Sequence, residues 1–212
     1  SKDVLLQPGT TIPAVWPTGA AWRDRIEVRT ETSVVDLDPD ARALTTASGE
    51  RFAFEVVLLA PGAEPRRLDV PGADGPGVHH LRDTADAASL SRALDEARRV
   101  VVVGGGVIGL EVAAAAATRG LDVEVVEVGP RVLGRGVPAP ASSWLVALHA
   151  HHGVRIRTGT ATDAVVRGTS GVVTGVRLTD GGVLPCDAVV VGIGVLTGED
   201  LGHDAGLPCD EG

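Results

Sequence analysis

The 212-residue sequence contains no tyrosine and no methionine, and aromatic residues make up only 2% of it. Its single lysine is Lys2, so 18 of the 19 basic residues are arginines. The formal net charge of −9 leaves no basic surface for phosphate backbones, and we expect no nucleic-acid partner. The 28 glycines are typical of a turn-rich chain of both helices and strands, and argue against a helical bundle.

Long apolar segments are also missing. The longest, residues 100–110, contains four glycines, ends at Glu111, and is shorter than the roughly 18 residues that a membrane span needs. The first residues do not lead into the hydrophobic core of a secretory signal. The two cysteines, Cys186 and Cys209, are too far apart for a CxxC redox or zinc motif, which favours ordinary thiols in a reducing compartment. We therefore predict a cytoplasmic protein without a membrane partner.

One segment has the pattern of a dinucleotide-binding site. Residues 100–103 predict a buried strand that leads into GGGVIG, and an alanine-rich helix follows until Gly120. In such a unit Gly104 allows the tight turn, Gly106 lets the backbone approach a pyrophosphate, and Gly109 lets the helix pack closely on the strand. Free amides at the helix start then bind the phosphates. The predicted dinucleotide-binding residues here are Gly104, Gly105, Gly106, Val107, Ile108 and Gly109; a tight turn without a ligand is the alternative.

An acidic residue follows at the spacing that ribose binding requires. Glu127 ends a predicted strand at residues 122–127, at a distance from Gly104 close to the roughly 20 residues expected for the acid that binds ribose hydroxyls. A carboxylate there repels a 2'-phosphate, which favours NADH over NADPH. Arg131 and Arg135 leave this preference open, because an arginine near that strand end can accommodate the phosphate.

A series of predicted strands occurs twice, about 130 residues apart. The first series comprises residues 26–30, 34–38, 42–46 and 54–60. The second comprises residues 154–158, then a meander at 162–166, 172–178 and 183–185, then 189–191 before a Gly-Ile-Gly turn. Only the second series is preceded by a strand, a glycine turn and a helix within the sequence. We therefore expect a fragment of a protein with two nucleotide-binding units.

These motifs resemble those of the NADH-dependent ferredoxin and rubredoxin reductases, a family of the pyridine-nucleotide flavoproteins. The resemblance rests on GGGVIGLE, on Glu127, on VVGIGV at residues 190–195, on the opening SKDVL, and on the segment LLAPGAEPRRLDVPGADGPGVHHLRD. It implies an α/β, Rossmann-like FAD/NAD(P)-binding fold, with a parallel sheet, helices, an antiparallel three-stranded meander and a partial second domain of the same type. It further implies that hydride passes from NADH to FAD and that electrons then pass to a ferredoxin or rubredoxin.

The resemblance also implies domain boundaries and residue roles. Residues 1–78 would be a remnant of the FAD-binding domain, residues 79–198 the NAD-binding domain, and residues 199–212 the start of the return to the FAD-binding domain. Lys2 would face the flavin and Glu111 would be its partner beside the nicotinamide. The other cofactor-binding positions implied are Arg135, Gly192, Ile193, Gly194, Val34, Ala60, Gly62 and Arg66.

Other interpretations stay open at this stage. A frayed terminal lysine would explain Lys2, and compensation of the helix dipole would explain Glu111. The sequence shows neither the glycine turn nor the Gly-Asp motif of the family's FAD domain, and Ala60-Pro61-Gly62 replaces its Ala-Thr-Gly. A non-catalytic NAD(H)-binding or redox-sensing module is therefore the second hypothesis. A disulfide reductase is disfavoured, because no cysteine precedes Cys186.

Two polar clusters are predicted to be structural. His149, His151 and His152 lie near a predicted helix end without a cysteine or acidic partner pattern, which favours capping over metal binding. Asp83 and Asp86 come just before a predicted helix over residues 87–99. We expect this acidic pair, like the arginine-rich end of that helix, on a solvated face.

Overall fold

The computed structural model of the protein describes residues 25–210, so Lys2 lies outside the described residues. The described chain divides into two compact units. The larger unit comprises residues 65–195, and the smaller unit combines residues 25–64 with 196–210. The larger unit thus includes the segment 65–78, which the predicted boundaries had placed in the other domain.

Thirteen strands and four helices occur in residues 25–210. The strands are β1 (Val34–Asp38), β2 (Ala43–Thr46), β3 (Arg51–Ala53), β4 (Ala63–Pro65), β5 (Val78–His79), β6 (Arg99–Val103), β7 (Asp122–Glu127), β8 (Val154–Thr158), β9 (Thr162–Arg167), β10 (Val173–Leu178), β11 (Val183–Pro185), β12 (Ala188–Val191) and β13 (Val195–Thr197). The helices are α1 (Thr84–Glu96), α2 (Val107–Thr118), α3 (Ala139–His151) and α4 (Asp200–Asp204). None of the described helices is long and apolar enough to cross a membrane.

The larger unit is built on a five-stranded parallel sheet with the order β5-β12-β6-β7-β8. Helix α2 connects β6 to β7, and α3 lies between β7 and β8. Strands β9, β10 and β11 form a separate antiparallel meander. This confirms the predicted α/β fold with a parallel sheet and a three-stranded meander.

The two faces of the parallel sheet pack against different partners because successive side chains of a strand point to opposite faces. Val100 and Val102 share one core with alanines of α2, whereas Val101 and Val103 share another with residues of the meander. All four valines are buried. Strands buried on both faces have near-continuous apolar sequences. The continuous run of valines therefore fits the position of β6 in the middle of the sheet, where both of its faces are covered.

Helix α1 begins earlier and ends earlier than the apolar pattern predicted. Asp83 is its N-cap, and Asp83 and Asp86 form a capping box in which each side chain accepts a backbone N–H of the other. The helix ends at Glu96, and Arg99 already belongs to β6. Asp83 is exposed and Asp86 is partly exposed, as expected of a solvated face, and their carboxylates in addition fix the helix start.

Two strands predicted in the first series do not form. Residues 26–30 and 54–60 have no regular structure, and Val56 and Leu58 are 87% and 88% exposed. The equivalent segments of the second series, β8 and β12, pair with β7 and with β5 and β6. An extended segment gains strand structure only when a neighbour accepts its backbone hydrogen bonds. In the described residues of the smaller unit, β1, β2 and β3 pair with one another. No described strand of that unit pairs with residues 26–30 or 54–60.

Arg167, at the end of β9, holds the segment that leads into β5. Its guanidinium donates hydrogen bonds to the carbonyl oxygens of Gly72, Asp74 and Pro76 and to that of Gly171, over 2.7–3.1 Å. A lysine cannot reach several carbonyls in one plane. We expect Arg167→Lys to lower the free energy of unfolding by about 2 kcal/mol, measured by urea denaturation.

Arg177→Lys is the matched control for this prediction. Arg177 also lies in the meander, where it forms an exposed ion pair with Asp163. Exposed pairs contribute little, so its change should stay below about 1 kcal/mol. Equal destabilisation by both substitutions would contradict the role assigned to Arg167.

Candidate functional site

A cavity of about 1050 Å³ lies in the larger unit, at the carboxyl ends of three neighbouring parallel strands. Val103 ends β6, Glu127 ends β7 and Val191 ends β12, and all three line the cavity. Ligands of open α/β sheets bind outside the carboxyl ends of the strands. The volume is at the upper end of the range for small-molecule sites.

The glycine-rich turn after β6 forms one wall of this cavity, and its glycines are required for different reasons. Gly104 has a φ of +109°, and a Cβ there would lie 2.3 Å from the carbonyl oxygen of Gly192. A Cβ on Gly109 would lie 2.0 Å from the carbonyl oxygen of Gly104. Both positions therefore need glycine for the fold of the turn itself.

Gly106 differs, because the nearest atom to a Cβ there would be 3.8 Å away. It is the N-cap of α2, and it offers no side chain to bond the first helical amides. Such amides have no partner within the helix and attract anions. The open side of Gly106 and these amides together form a polar surface that an anion such as a diphosphate can approach.

Glu127 joins the glycine turn to the loop after β7. Its Oε2 accepts a hydrogen bond from the N–H of Gly105 at 2.6 Å, and its Oε1 accepts one from the N–H of Gly129 at 2.7 Å. The side chain is partly buried and lines the cavity. Each carboxylate oxygen has a further lone pair, so the group can still accept hydroxyl donors. The structure therefore places the predicted ribose-binding acid beside the predicted phosphate-binding turn.

The two arginines of the loop after β7 have different roles. Arg131 donates from both terminal nitrogens to the carbonyl oxygens of Val137 and Gly134, so its guanidinium holds the loop. Arg135 lines the cavity and is exposed. Of the two, Arg135 is the one available to a ligand.

The Gly-Ile-Gly turn after β12 packs against the glycine turn after β6 and also lines the cavity. Gly192, Ile193 and Gly194 all line the cavity, and Gly192 donates its N–H to the carbonyl oxygen of Val103. Gly194 accepts a hydrogen bond from the backbone N–H of Arg66 at 2.9 Å. Arg66 thus lies next to this turn in the larger unit.

The remaining predicted positions are not part of the cavity. Val34 begins β1 in the smaller unit, and Ala60 and Gly62 lie in the irregular segment before β4. Glu111 is exposed on α2 and is absent from the residues that line the cavity. The flavin-side and nicotinamide-side roles of these residues stay predictions.

Sequence reasoning missed one wall of the cavity, which follows β8. Thr160 and Thr162 line it, and their hydroxyl oxygens are buried without a hydrogen-bond partner in the described residues. Thr160 donates its backbone N–H to the carbonyl oxygen of Glu127 at 3.3 Å, so this wall adjoins the predicted ribose-binding acid. The sequence contained a signal for this wall. Thr160-Ala161-Thr162 follows the predicted strand at residues 154–158, and parallel strands end at the same edge of the sheet as Glu127.

His149 has the structural role that was predicted for the histidines at the end of α3. Its ring nitrogens lie 2.9 and 3.2 Å from the carbonyl oxygens of Leu145 and Leu110. It therefore connects α3 to α2. In the described residues, His149, His151 and His152 do not belong to a cluster that could hold a metal ion.

Cys186 is buried between the parallel sheet and the meander, and it has no disulfide partner. Burial, followed by the charge of Asp187, raises the pKa of its thiol to about 12. In the unfolded chain the thiol ionises near pH 8.5. The folded state is thus favoured fully below that pH and loses stability as pH rises towards 12, because only the unfolded state releases the proton.

We therefore expect the free energy of unfolding to fall by roughly 1.4 kcal/mol per pH unit above about pH 9 through this group. Urea denaturation at pH 8 and pH 10 measures the change. The control is Cys186→Ala, which should have a smaller alkaline loss. The same loss in both proteins would assign the effect to other groups.

Comparison with known proteins agrees with this geometry. The family described as pyridine nucleotide-disulphide oxidoreductase matches residues 8–212. Rhodocoxin reductase of Rhodococcus erythropolis is 40% identical over 188 residues, which are 89% of this chain and 44% of that protein. The 5,5'-dehydrodivanillate O-demethylase ferredoxin reductase subunit of Sphingobium is 38% identical over 82% of this chain and 43% of that protein. The chain thus spans less than half the length of these relatives.

Solved structures show the same likeness. The ferredoxin reductase for the CYP199A2 system of Rhodopseudomonas palustris has a TM-score of 0.86 and 37% identity, over 94% of this chain and 49% of that one. Putidaredoxin reductase, solved as a covalent complex with putidaredoxin, has a TM-score of 0.78 and 33% identity, over 89% of this chain and 49% of that one. With the family match over nearly the whole sequence, the chain belongs to the pyridine nucleotide-disulphide oxidoreductase family.

Proposed function

We propose that the larger unit binds NADH and that the chain is part of an NADH-dependent flavoprotein reductase whose acceptor is a ferredoxin or a rubredoxin. The observation that carries the proposal is the meeting of the glycine turn and Glu127 at one cavity. The names of the similar ferredoxin reductases support the reaction class. The nicotinamide supplies a hydride when the cofactor is bound.

Different residues of the cavity bind different parts of the dinucleotide. The open side of Gly106 and the first amides of α2 take the pyrophosphate. Glu127 accepts hydrogen bonds from the hydroxyls of the adenosine ribose. The adenine then lies against Thr160 and Thr162, which line the cavity next to Glu127. The Gly192–Gly194 turn also lines the cavity and borders the other half of the cofactor.

A carboxylate at residue 127 favours NADH over NADPH, because it would meet the 2'-phosphate of NADPH directly. Arg131 does not compensate, since its guanidinium already binds two carbonyl oxygens. Arg135 is exposed and can swing towards solvent. We therefore propose NADH as the preferred donor.

The described residues do not by themselves fit FAD. In the smaller unit they form the meander β1-β2-β3, the pair β4-β13 and the short helix α4, without a strand, glycine turn and helix that could hold a pyrophosphate. The proposed flavin therefore depends on parts of the protein beyond the described residues. This observation also keeps a second candidate, an NAD(H)-binding module that does not carry flavin.

Titration of the purified chain with NADH, followed by nicotinamide fluorescence, tests the cofactor site. Saturable binding that is much weaker for NADPH is the expected result, and absence of NADH binding would contradict the proposal. A flavin absorption spectrum together with NADH-dependent reduction of a ferredoxin supports the reductase. NADH binding by a colourless protein, in a form that includes the flanking sequence, would favour the module.

We also propose a cytoplasmic location. Cys186 and Cys209 are both free thiols in the structure. Free thiols are typical of a reducing compartment.

A further inference from the structure

Three side chains with metal-binding chemistry meet in the smaller unit, outside the dinucleotide cavity. Glu199 precedes α4, His203 lies within it, and Cys209 follows it. One ligand atom from each lies within 4.8 Å of the other two. His203 Nε2 and Glu199 Oε2 are 3.4 Å apart.

Local structure explains how these residues come together. Glu199 and His203 are four residues apart at the start of a helix, so their side chains share one face. The chain then turns at Gly206, which has a φ of +73°, and returns across α4. Gly202 lies between the two ligands, and a Cβ there would be 3.0 Å from the sulfur of Cys209. Glycine at this position therefore lets the sulfur approach the face that carries the carboxylate and the imidazole.

A further contact orients the carboxylate. The Thr197 hydroxyl donates a hydrogen bond to Glu199 Oε1, which leaves Oε2 directed towards His203. Residues that hold a ligand from behind in this way are usual around metal sites. The Glu199 side chain is 19% exposed and the His203 side chain 59% exposed, so the cluster opens to solvent on the imidazole side.

We propose that Glu199, His203 and Cys209 bind a divalent ion of the zinc type, with water as the fourth ligand. Carboxylate oxygen, imidazole nitrogen and thiolate sulfur are the ligands zinc takes, at about 2.0–2.3 Å. In a tetrahedral site these lengths place neighbouring ligand atoms about 3.3–3.6 Å apart. The Glu199–His203 pair already has this separation, and the sulfur lies within 4.8 Å of a ligand atom of each.

Charge favours the same occupant. The carboxylate and the thiolate carry two negative charges, which a divalent ion neutralises, and the thiol releases its proton when the metal binds. The alternative is a Glu199–His203 ion pair with Cys209 as a packing residue, whose sulfur contacts the carbonyl oxygen of Leu207. The two alternatives differ in whether the sulfur takes part.

Cobalt(II) titration of the chelator-treated 212-residue chain distinguishes them. We expect saturation at one ion per chain, with a thiolate-to-cobalt charge-transfer band in the near ultraviolet and displacement by zinc. Cys209→Ser should abolish the band, and His203→Asn should weaken binding at least tenfold. His151→Asn, which replaces an exposed histidine of the larger unit, is the matched control and should bind like the parent protein.

Thiol reactivity gives a second readout that does not depend on the cobalt spectrum. Cys186 is buried, so rapid reaction with a disulfide reagent reports Cys209. Zinc should slow this reaction in the parent protein and in His151→Asn, but much less in His203→Asn. A missing charge-transfer band, or one that persists in Cys209→Ser, would overturn the proposal, as would equal weakening by His151→Asn. Circular dichroism of each variant confirms that it is folded.

Discussion

Substitution of Glu127 by alanine is expected to weaken NADH binding by roughly 10- to 100-fold. The ribose hydroxyls would lose the carboxylate, and the expected range corresponds to the about 1.5–3 kcal/mol that one hydrogen bond to a charged group contributes. The substitution also leaves the N–H groups of Gly105 and Gly129 without their acceptor. Isothermal titration with NADH measures the loss, and thermal unfolding should show a moderate decrease in stability.

Glu127→Gln separates these two contributions. Glutamine has one acceptor oxygen, so it can keep one of the two backbone hydrogen bonds while it removes the negative charge. We expect it to be more stable than the alanine variant. The ratio of NADPH to NADH affinity should rise about tenfold, because a charge that repels the 2'-phosphate has been removed.

Arg135→Gln is the control for cofactor choice. If Arg135 contacts the 2'-phosphate, its removal should weaken NADPH binding and leave NADH binding nearly unchanged. Unchanged NADH affinity in Glu127→Ala would contradict the site, whatever the effect on NADPH.

The geometry of the candidate site could be predicted closely where one local pattern determines the structure. The glycine turn specifies its own geometry, since Gly104 and Gly109 have carbonyl oxygens where a Cβ would be. Glu127 could be placed because parallel neighbouring strands end at the same edge of the sheet. Its two hydrogen bonds to backbone amides could not be predicted, because they depend on how two loops fold back on each other.

The failures arise where structure depends on distant neighbours. Residues 54–60 have the sequence of a buried strand, yet a strand forms only beside another strand, and periodicity contains no information about that partner. The approach of Cys209 to Glu199 and His203 could not be predicted for a related reason. Cys209 has no CxxC spacing, and only the turn at Gly206 brings it back over Gly202. Helix α1 shows the reverse case, because the Asp83–Asp86 capping box is a local signal for a start at Thr84, three residues before the predicted start.

Alanine substitutions along the glycine turn should separate folding from binding. Gly109→Ala would place a Cβ 2.0 Å from the carbonyl oxygen of Gly104, between two backbone segments that cannot move apart easily. Overpacking of this kind costs about 1–3 kcal/mol and occasionally more. We expect a decrease in melting temperature of about 10 °C, measured by circular dichroism, together with loss of NADH binding.

Gly106→Ala should have the opposite profile. Gly106 has φ −79° and ψ −176°, which any residue adopts, and its Cβ would have no neighbour closer than 3.8 Å. The protein should therefore melt within about 2 °C of the parent. The added methyl group would occupy the space through which a pyrophosphate approaches the first amides of α2, so NADH affinity should fall at least roughly tenfold.

The contrast between the two variants tests the site more sharply than either result alone. A tight turn without a ligand predicts the stability loss in Gly109→Ala, but it predicts no consequence for Gly106→Ala. A dinucleotide site predicts that Gly106→Ala stays folded and binds poorly. Normal NADH binding by a stable Gly106→Ala would therefore leave the glycine turn with a structural role only, and the cofactor would have to approach the sheet elsewhere.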